Sequence, residues 1–275
     1  MKKIVLAMLL LAFLLGGQLM AQTADVFNER GKTFADQGEF DKAIAEYTQA
    51  IRINPDYADA YYNRAYMYLK KENPDAAIAD LTQVIRINPN SKEAYFNRGM
   101  LNYFEKNQNE ALNDFTQVIK LDPNDAEAYY FRGMLNYFRG NGESINDFTQ
   151  AIKLDPKKVE AYVYRGYMYY LKKNYTEAIK DYNQAIKLDP KNAKAYYNRG
   201  LVYLEKNNYN QAIKEFTQAI KLNPNDAEMY TNRGLAYYRK KDYKKAIEDC
   251  EAALRIDPNS NASLLLEHAR SEQKK

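Results

Sequence analysis

The sequence predicts an all-α solenoid, and three observations carry the prediction. Seven prolines (Pro55, Pro89, Pro123, Pro156, Pro190, Pro224 and Pro258) follow one another at intervals of 34, 34, 33, 34, 34 and 34 residues. Each interval holds two apolar stripes at helical spacing, such as Tyr196, Gly200 and Tyr203 followed by Ala212, Phe216 and Ala219. The stretch AYYNRG (195–200) returns as AYYNRA (60–65), AYFNRG (94–99), AYYFRG (128–133), AYVYRG (161–166) and MYTNRG (229–234). A helix pair of this length cannot bury its apolar face alone, so the copies stack into a quasi-one-dimensional array.

In chain order, residues 1–21 come first and read as a signal peptide. A basic start (Lys2, Lys3) precedes an uncharged apolar run at 4–15, and a polar break ends at the small residue Ala21, after which cleavage is expected. The competing reading is an uncleaved anchor, since residues 4–21 are just long enough to span a bilayer. The expected location is periplasmic or secreted, with inner-membrane anchoring by 4–21 as the alternative.

Seven repeats then occupy 24–57, 58–91, 92–125, 126–158, 159–192, 193–226 and 227–260. Asn73, Asn107, Asn174, Asn208 and Asp242 stand where a side chain caps the second helix, and Pro74 takes the first-turn position that proline tolerates. The LDPN and INPN endings stop that helix, and Asp125, Asn192 and Asp226 are placed to cap the next. The fourth copy is one residue short, with Gly140 and Gly142 at its turn. Residues 261–275 read as a capping helix whose polar face ends the stack.

Composition narrows the chemistry. The single cysteine, Cys250, excludes an intramolecular disulfide framework, and the single histidine, His268, removes most histidine-based catalysis. There is no nucleophile–base set, phosphate-cradling glycine loop or metal spacing, so no enzyme activity, cofactor or metal is expected. The net charge of +4 is spread over interleaved signs, which argues against nucleic acid as a partner. NYT (174–176) and NAS (261–263) match the glycosylation pattern, although Asn174 is better explained as a cap.

These residues resemble the tetratricopeptide-repeat family. The first helix of each copy carries an aromatic (Phe27, Tyr61, Tyr95, Tyr129, Tyr162, Tyr196, Tyr230) and, four residues on, a small residue (Gly31, Ala65, Gly99, Gly133, Gly166, Gly200, Gly234). Departures are Asn102 and Asn136 for a tyrosine, Ser144 for an alanine and Cys250 for a large aromatic. The resemblance covers 24–258 and implies a right-handed superhelix of helix-turn-helix units, with the first helices on its concave side.

One arginine precedes every small residue: Arg30, Arg64, Arg98, Arg132, Arg165, Arg199 and Arg233. The second helices answer with Glu46, Asp80, Asp114, Asp147, Asp181, Glu215 and Asp249. A fixed offset between guanidinium and carboxylate predicts a ladder of charge pairs between packed helices, because a partly buried charge must be paired. A row of arginines gripping an acidic ligand is the competing reading.

The first helices also carry a second apolar stripe: Tyr62, Tyr66, Phe96, Met100, Phe104, Tyr130, Met134, Tyr137, Phe138, Tyr167, Tyr170 and Tyr197. The resemblance puts it in the groove, where Asn63, Asn97 and Asn198 join it as candidates for holding a peptide backbone. Tyrosine and methionine suit an adaptable binding surface; filling between repeats is the alternative. The family's basic clamp for acidic tails is not evident, since Lys32 and Lys70 stand isolated in the sequence. The functional expectation is an exported, non-catalytic scaffold that holds a partner peptide or protein segment in this groove. Self-association through a solenoid end, or service as a non-catalytic subunit of a larger enzyme or envelope complex, are the competing roles.

Overall fold

Short-range rules set many of the helix boundaries in this chain, and the structure, a computed structural model, shows them at work over residues 22–140 and 143–275. The expected export segment (1–21) and Gly142 lie outside the described residues. Among the described residues there are fifteen helices and no strand. They are α1 (22–36), α2 (Phe40–Ile53), α3 (Ala58–Lys70), α4 (Pro74–Ile87), α5 (Lys92–Phe104), α6 (Gln108–Leu121), α7 (Ala126–Phe138) and α8 (Ser144–Leu154). There follow α9 (Val159–Leu171), α10 (Tyr175–Leu188), α11 (Ala193–Glu205), α12 (Tyr209–Leu222), α13 (Ala227–Arg239), α14 (Tyr243–Ile256) and α15 (Ala262–Gln273).

Among the second helices, α4, α10, α12 and α14 start on a capping side chain, whereas α2 and α8 do not. Asn73 accepts from Ala76 N at 3.1 Å, Asn208 from Gln211 N at 3.3 Å and Asp242 from Lys245 N at 3.3 Å. Asn107 departs from this expectation: its side chain makes no cap and donates to Asn102 Oδ1 at 3.3 Å. The same helices stop at an Asn or Asp before proline, held extended by the proline ring. The side chain of that residue then takes the N–H two positions on, as Asn54 does from Asp56 (3.1 Å) and Asp189 from Lys191 (3.0 Å). First helices end instead in a left-handed residue, often without glycine's freedom: Glu72, Lys106, Lys173, Asn207 and Lys241 all have φ between 56° and 67°.

The chain divides into two compact units, one ending at Leu135 and the other running from Asn136 to Lys275. In the first, α3 packs on α4 and α5 on α6, with α4 linking the pairs through α5. Its core includes Leu81, Val84, Phe115, Val118 and Leu135. In the second, α9–α10, α11–α12 and α13–α14 stack in order, and α15 closes the end on α14 through Leu266 and Ala269. Among the described residues no helix is long and apolar enough to cross a membrane.

The small residue of each first helix is there because of what faces it. A Cβ on Gly31 would sit 2.5 Å from the Tyr47 ring, on Gly166 2.8 Å from Tyr182, and on Gly200 2.7 Å from Phe216. Where the facing residue is Leu81 the position is Ala65, and both are buried in one cluster.

Candidate functional site

The recurring arginine is held by three partners. Arg64, Arg98, Arg165 and Arg233 each donate Nε and Nη2 to the two oxygens of Asp80, Asp114, Asp181 and Asp249, at 2.7–3.0 Å. Nη1 of each reaches back to the preceding repeat, to Thr48, Thr82, Thr149 and Thr217, at 2.9–3.2 Å. Those threonine hydroxyls are already aimed, since each donates to a carbonyl four residues earlier in its own helix at 2.7 Å. The guanidinium lies 5.6–5.8 Å from the ring of the tyrosine one turn before it (Tyr61, Tyr95, Tyr162, Tyr230). Arg199 follows the plan with Glu215 and Asn183. Arg30 also pairs, with Glu46, but among the described residues no earlier repeat covers it, and its side chain is 55% exposed against 15–20% for the other five. Arg132 stacks on Tyr129 at 5.5 Å. The arginine row therefore ties three helices together, and Asp181 holds the Arg165 guanidinium charged, its pKa above the ordinary arginine range despite burial.

The threonine leg of this socket was not read from the sequence, although the Thr-Gln dipeptide recurs at a fixed offset in second helices. The socket also explains two departures from the repeat pattern. Asn136 donates to Asp147 at 2.9 Å and Asn102 to Asp114 at 3.5 Å, both buried, where Tyr68 and Tyr169 instead lie over an arginine.

The second apolar stripe splits. In the first unit Tyr66 and Phe104 are open to solvent, and Lys70 Nζ lies over the Tyr66 ring. Tyr62, Phe96, Met100 and Tyr130 are half-buried, with Phe96 edge-on to Phe115 at 5.7 Å and Tyr130 edge-on to Phe131 at 5.3 Å. Met134 is buried and lies outside any surface groove. In the second unit Phe138 is exposed, while Tyr137, Tyr167 and Tyr170 form a half-buried aromatic run with ring centres about 6 Å apart. Tyr197 is buried, tilted on Phe216 at 5.7 Å, and burial, with the Glu228 carboxylate nearby, raises its phenol pKa. The expected groove thus loses Met134 to packing, whereas Tyr197, although largely buried, still lines a cleft of the second unit with Tyr137 and Tyr167.

The asparagines bind their own chain. Asn63 Nδ2 donates to Asn28 Oδ1 at 3.1 Å and Asn97 Nδ2 to Tyr62 Oη at 2.7 Å. Asn198 is buried, 3% exposed. Lys32 and Lys70, far apart in sequence, line one cleft of the first unit with Asn63 and Tyr66. Cys250 is buried, and desolvation pushes its thiol up to about 11, the opposite of a reactive cysteine.

The repeat geometry now meets its relatives. Models described as TPR repeat match residues 31–72 and 166–206, and models described as tetratricopeptide repeat match 58–91, 92–125 and 197–261. The chain belongs to the tetratricopeptide-repeat family. Tetratricopeptide repeats mediate protein–protein interactions, and this chain is a protein-interaction scaffold of that kind. No curated protein matches it. Among solved structures it is similar to MamA, at 26% identity over 60% of this chain and 96% of that one, with a TM-score of 0.55. A tetratricopeptide-repeat protein from Parabacteroides merdae aligns over 90% of this chain and 99% of its own at 20% identity, with a TM-score of 0.61. The C-terminal part of a TPR repeat-containing protein from Cytophaga hutchinsonii aligns over 90% and 100% at 16% identity, with a TM-score of 0.69. The last two show the fold alone.

Proposed function

We propose that the protein is an exported, non-catalytic scaffold whose first-helix faces bind a segment of a partner protein. One observation carries the binding reading. The last residue of the first helix is charged in the second, sixth and seventh tetratricopeptide repeats (Lys70, Glu205, Arg239) but is Phe104, Phe138 and Leu171 in the third to fifth. Those three are 51–66% exposed and answer to no core. Large apolar side chains held in water next to half-buried tyrosines are what an interface offers. Export rests on the basic, apolar and small-residue order of 1–21.

The test is affinity capture from the exported fraction with the native protein and with Phe104→Ser, Phe138→Ser and Leu171→Ser combined. Recovery of a partner by the native chain and its loss in the variant are expected; equal recovery by both sinks the proposal. N-terminal sequencing of the exported protein is expected to begin at Gln22, and an intact Met1 in a membrane fraction refutes cleavage.

A further inference from the structure

Three asparagines of first helices donate to a residue 35 positions earlier, on the previous first helix. Asn63 reaches Asn28 at 3.1 Å, Asn97 reaches Tyr62 at 2.7 Å and Asn232 reaches Tyr197 at 2.8 Å. A fourth pair at the same spacing is Val163 and Asn198, and the valine side chain has no atom that accepts. Asn198 is 3% exposed, and its Nδ2 has no hydrogen-bond partner among the described residues. A buried donor left unmade carries a desolvation cost that nothing in the fold offsets.

The tyrosine missing at 163 leaves space as well as a lost acceptor. A cleft of about 240 Å³ opens in the second unit, lined by Val163 and Asn198 with Tyr137, Tyr164, Tyr167 and Lys194. An apolar cavity of about 150 Å³ already takes up benzene, so a substituted ring fits. The polar end of the cleft has changed with it. The second residue of the first helix is acidic in five repeats (Asp59, Glu93, Glu127, Glu160, Glu228) and is Lys194 here. Lys194 Nζ lies 4.5 Å from the centre of the Tyr164 ring and 3.4 Å from its Oη. Tyr197 and Glu228 also line the cleft, and the Tyr197 hydroxyl accepts from Asn232 in the neighbouring, complete arrangement.

We infer that this cleft receives the phenol of a tyrosine side chain from a partner segment, its ring between the tyrosine walls and its oxygen accepting from Asn198 Nδ2. The incoming tyrosine takes the place that Tyr62 and Tyr197 fill within the chain, and Lys194 supplies a second donor to the phenol oxygen. Aromatic walls select a ring, and two donors select a ring with an acceptor over a plain one. The inference deepens the partner-binding reading and rests on it for the biological source of the tyrosine.

N-acetyltyrosinamide and N-acetylphenylalaninamide, titrated into the full chain while the Asn198 side-chain amide is followed by NMR, test the site without any partner. The tyrosine amide is expected to shift the Asn198 signals and to bind several-fold to about tenfold more tightly than the phenylalanine amide. Val163→Tyr supplies the missing ring from within, so it abolishes binding and raises Tm; Asn198→Leu erases the preference for tyrosine. Equal binding of both amides, or undiminished tyrosine-amide binding by Val163→Tyr, overturns the inference. Tyrosine-amide binding alongside a failed partner capture leaves the cleft standing and removes only the proposed interaction surface.

Discussion

Alanine at the small position of the first helix changes sign with the residue opposite. At Gly200 the new Cβ would come 2.7 Å from Phe216 Cε1 and 2.8 Å from Cδ1, and that ring is fully buried, so it cannot swing away. Overpacking of this kind costs about 1–3 kcal/mol, against about 1 kcal/mol that alanine contributes over glycine in a helix interior. The net expectation is a loss of about 1 kcal/mol. At Gly234 the nearest atoms are the Ala246 carbonyl oxygen and Asp249 Cβ, both at 3.3 Å, and Cys250 Sγ at 3.4 Å, so a shift of a few tenths of an ångström suffices. Most of the propensity gain survives there, and Gly234→Ala is expected to stabilise by roughly 0.5 kcal/mol. Urea denaturation followed by circular dichroism reads both, as opposite shifts of the midpoint. The chain also contains its own control, because Ala65 faces Leu81. Gly200→Ala combined with Phe216→Leu should be more stable than the two single changes add up to, with a coupling of about 1 kcal/mol or more. Midpoints that move in the same direction for both glycines, or a double variant that is merely additive, would refute the packing account.

Two further outcomes follow from the sockets and the turns. Arg165→Met leaves the Asp181 carboxylate buried without its bidentate partner and should cost about 3–5 kcal/mol, whereas Arg165→Met with Asp181→Leu should recover most of that loss; a coupling near zero in the denaturation cycle returns the arginine row to ligand binding. Lys173, exposed and held at φ 58°, should gain about 1 kcal/mol on substitution by glycine, read as a rise in Tm, and a fall in Tm would show that the turn tolerates lysine without strain.

Much of this protein was determined by its sequence because its contacts are either local or repeated. An Asn or Asp before proline ends a helix through backbone geometry alone, and Arg165 meets Asp181 because every repeat sets the same two helices at the same offset. Family and fold follow from those rules. Local spacing does not decide how closely successive repeats approach, and there the tertiary structure had the last word. Tyr197 and Phe138 belong to one stripe on the helical wheel, yet Tyr197 is packed on Phe216 while Phe138 stands in solvent. Asn107 occupies a cap position and turns to Asn102 instead, since a buried amide next to a carboxylate needs a partner more than an exposed helix end does. Lys32 and Lys70 come to share a cleft, and Asn198 is left facing a valine. Periodicity assigns a side chain to a face of its helix; only the neighbouring helix decides whether that face is covered, paired or open.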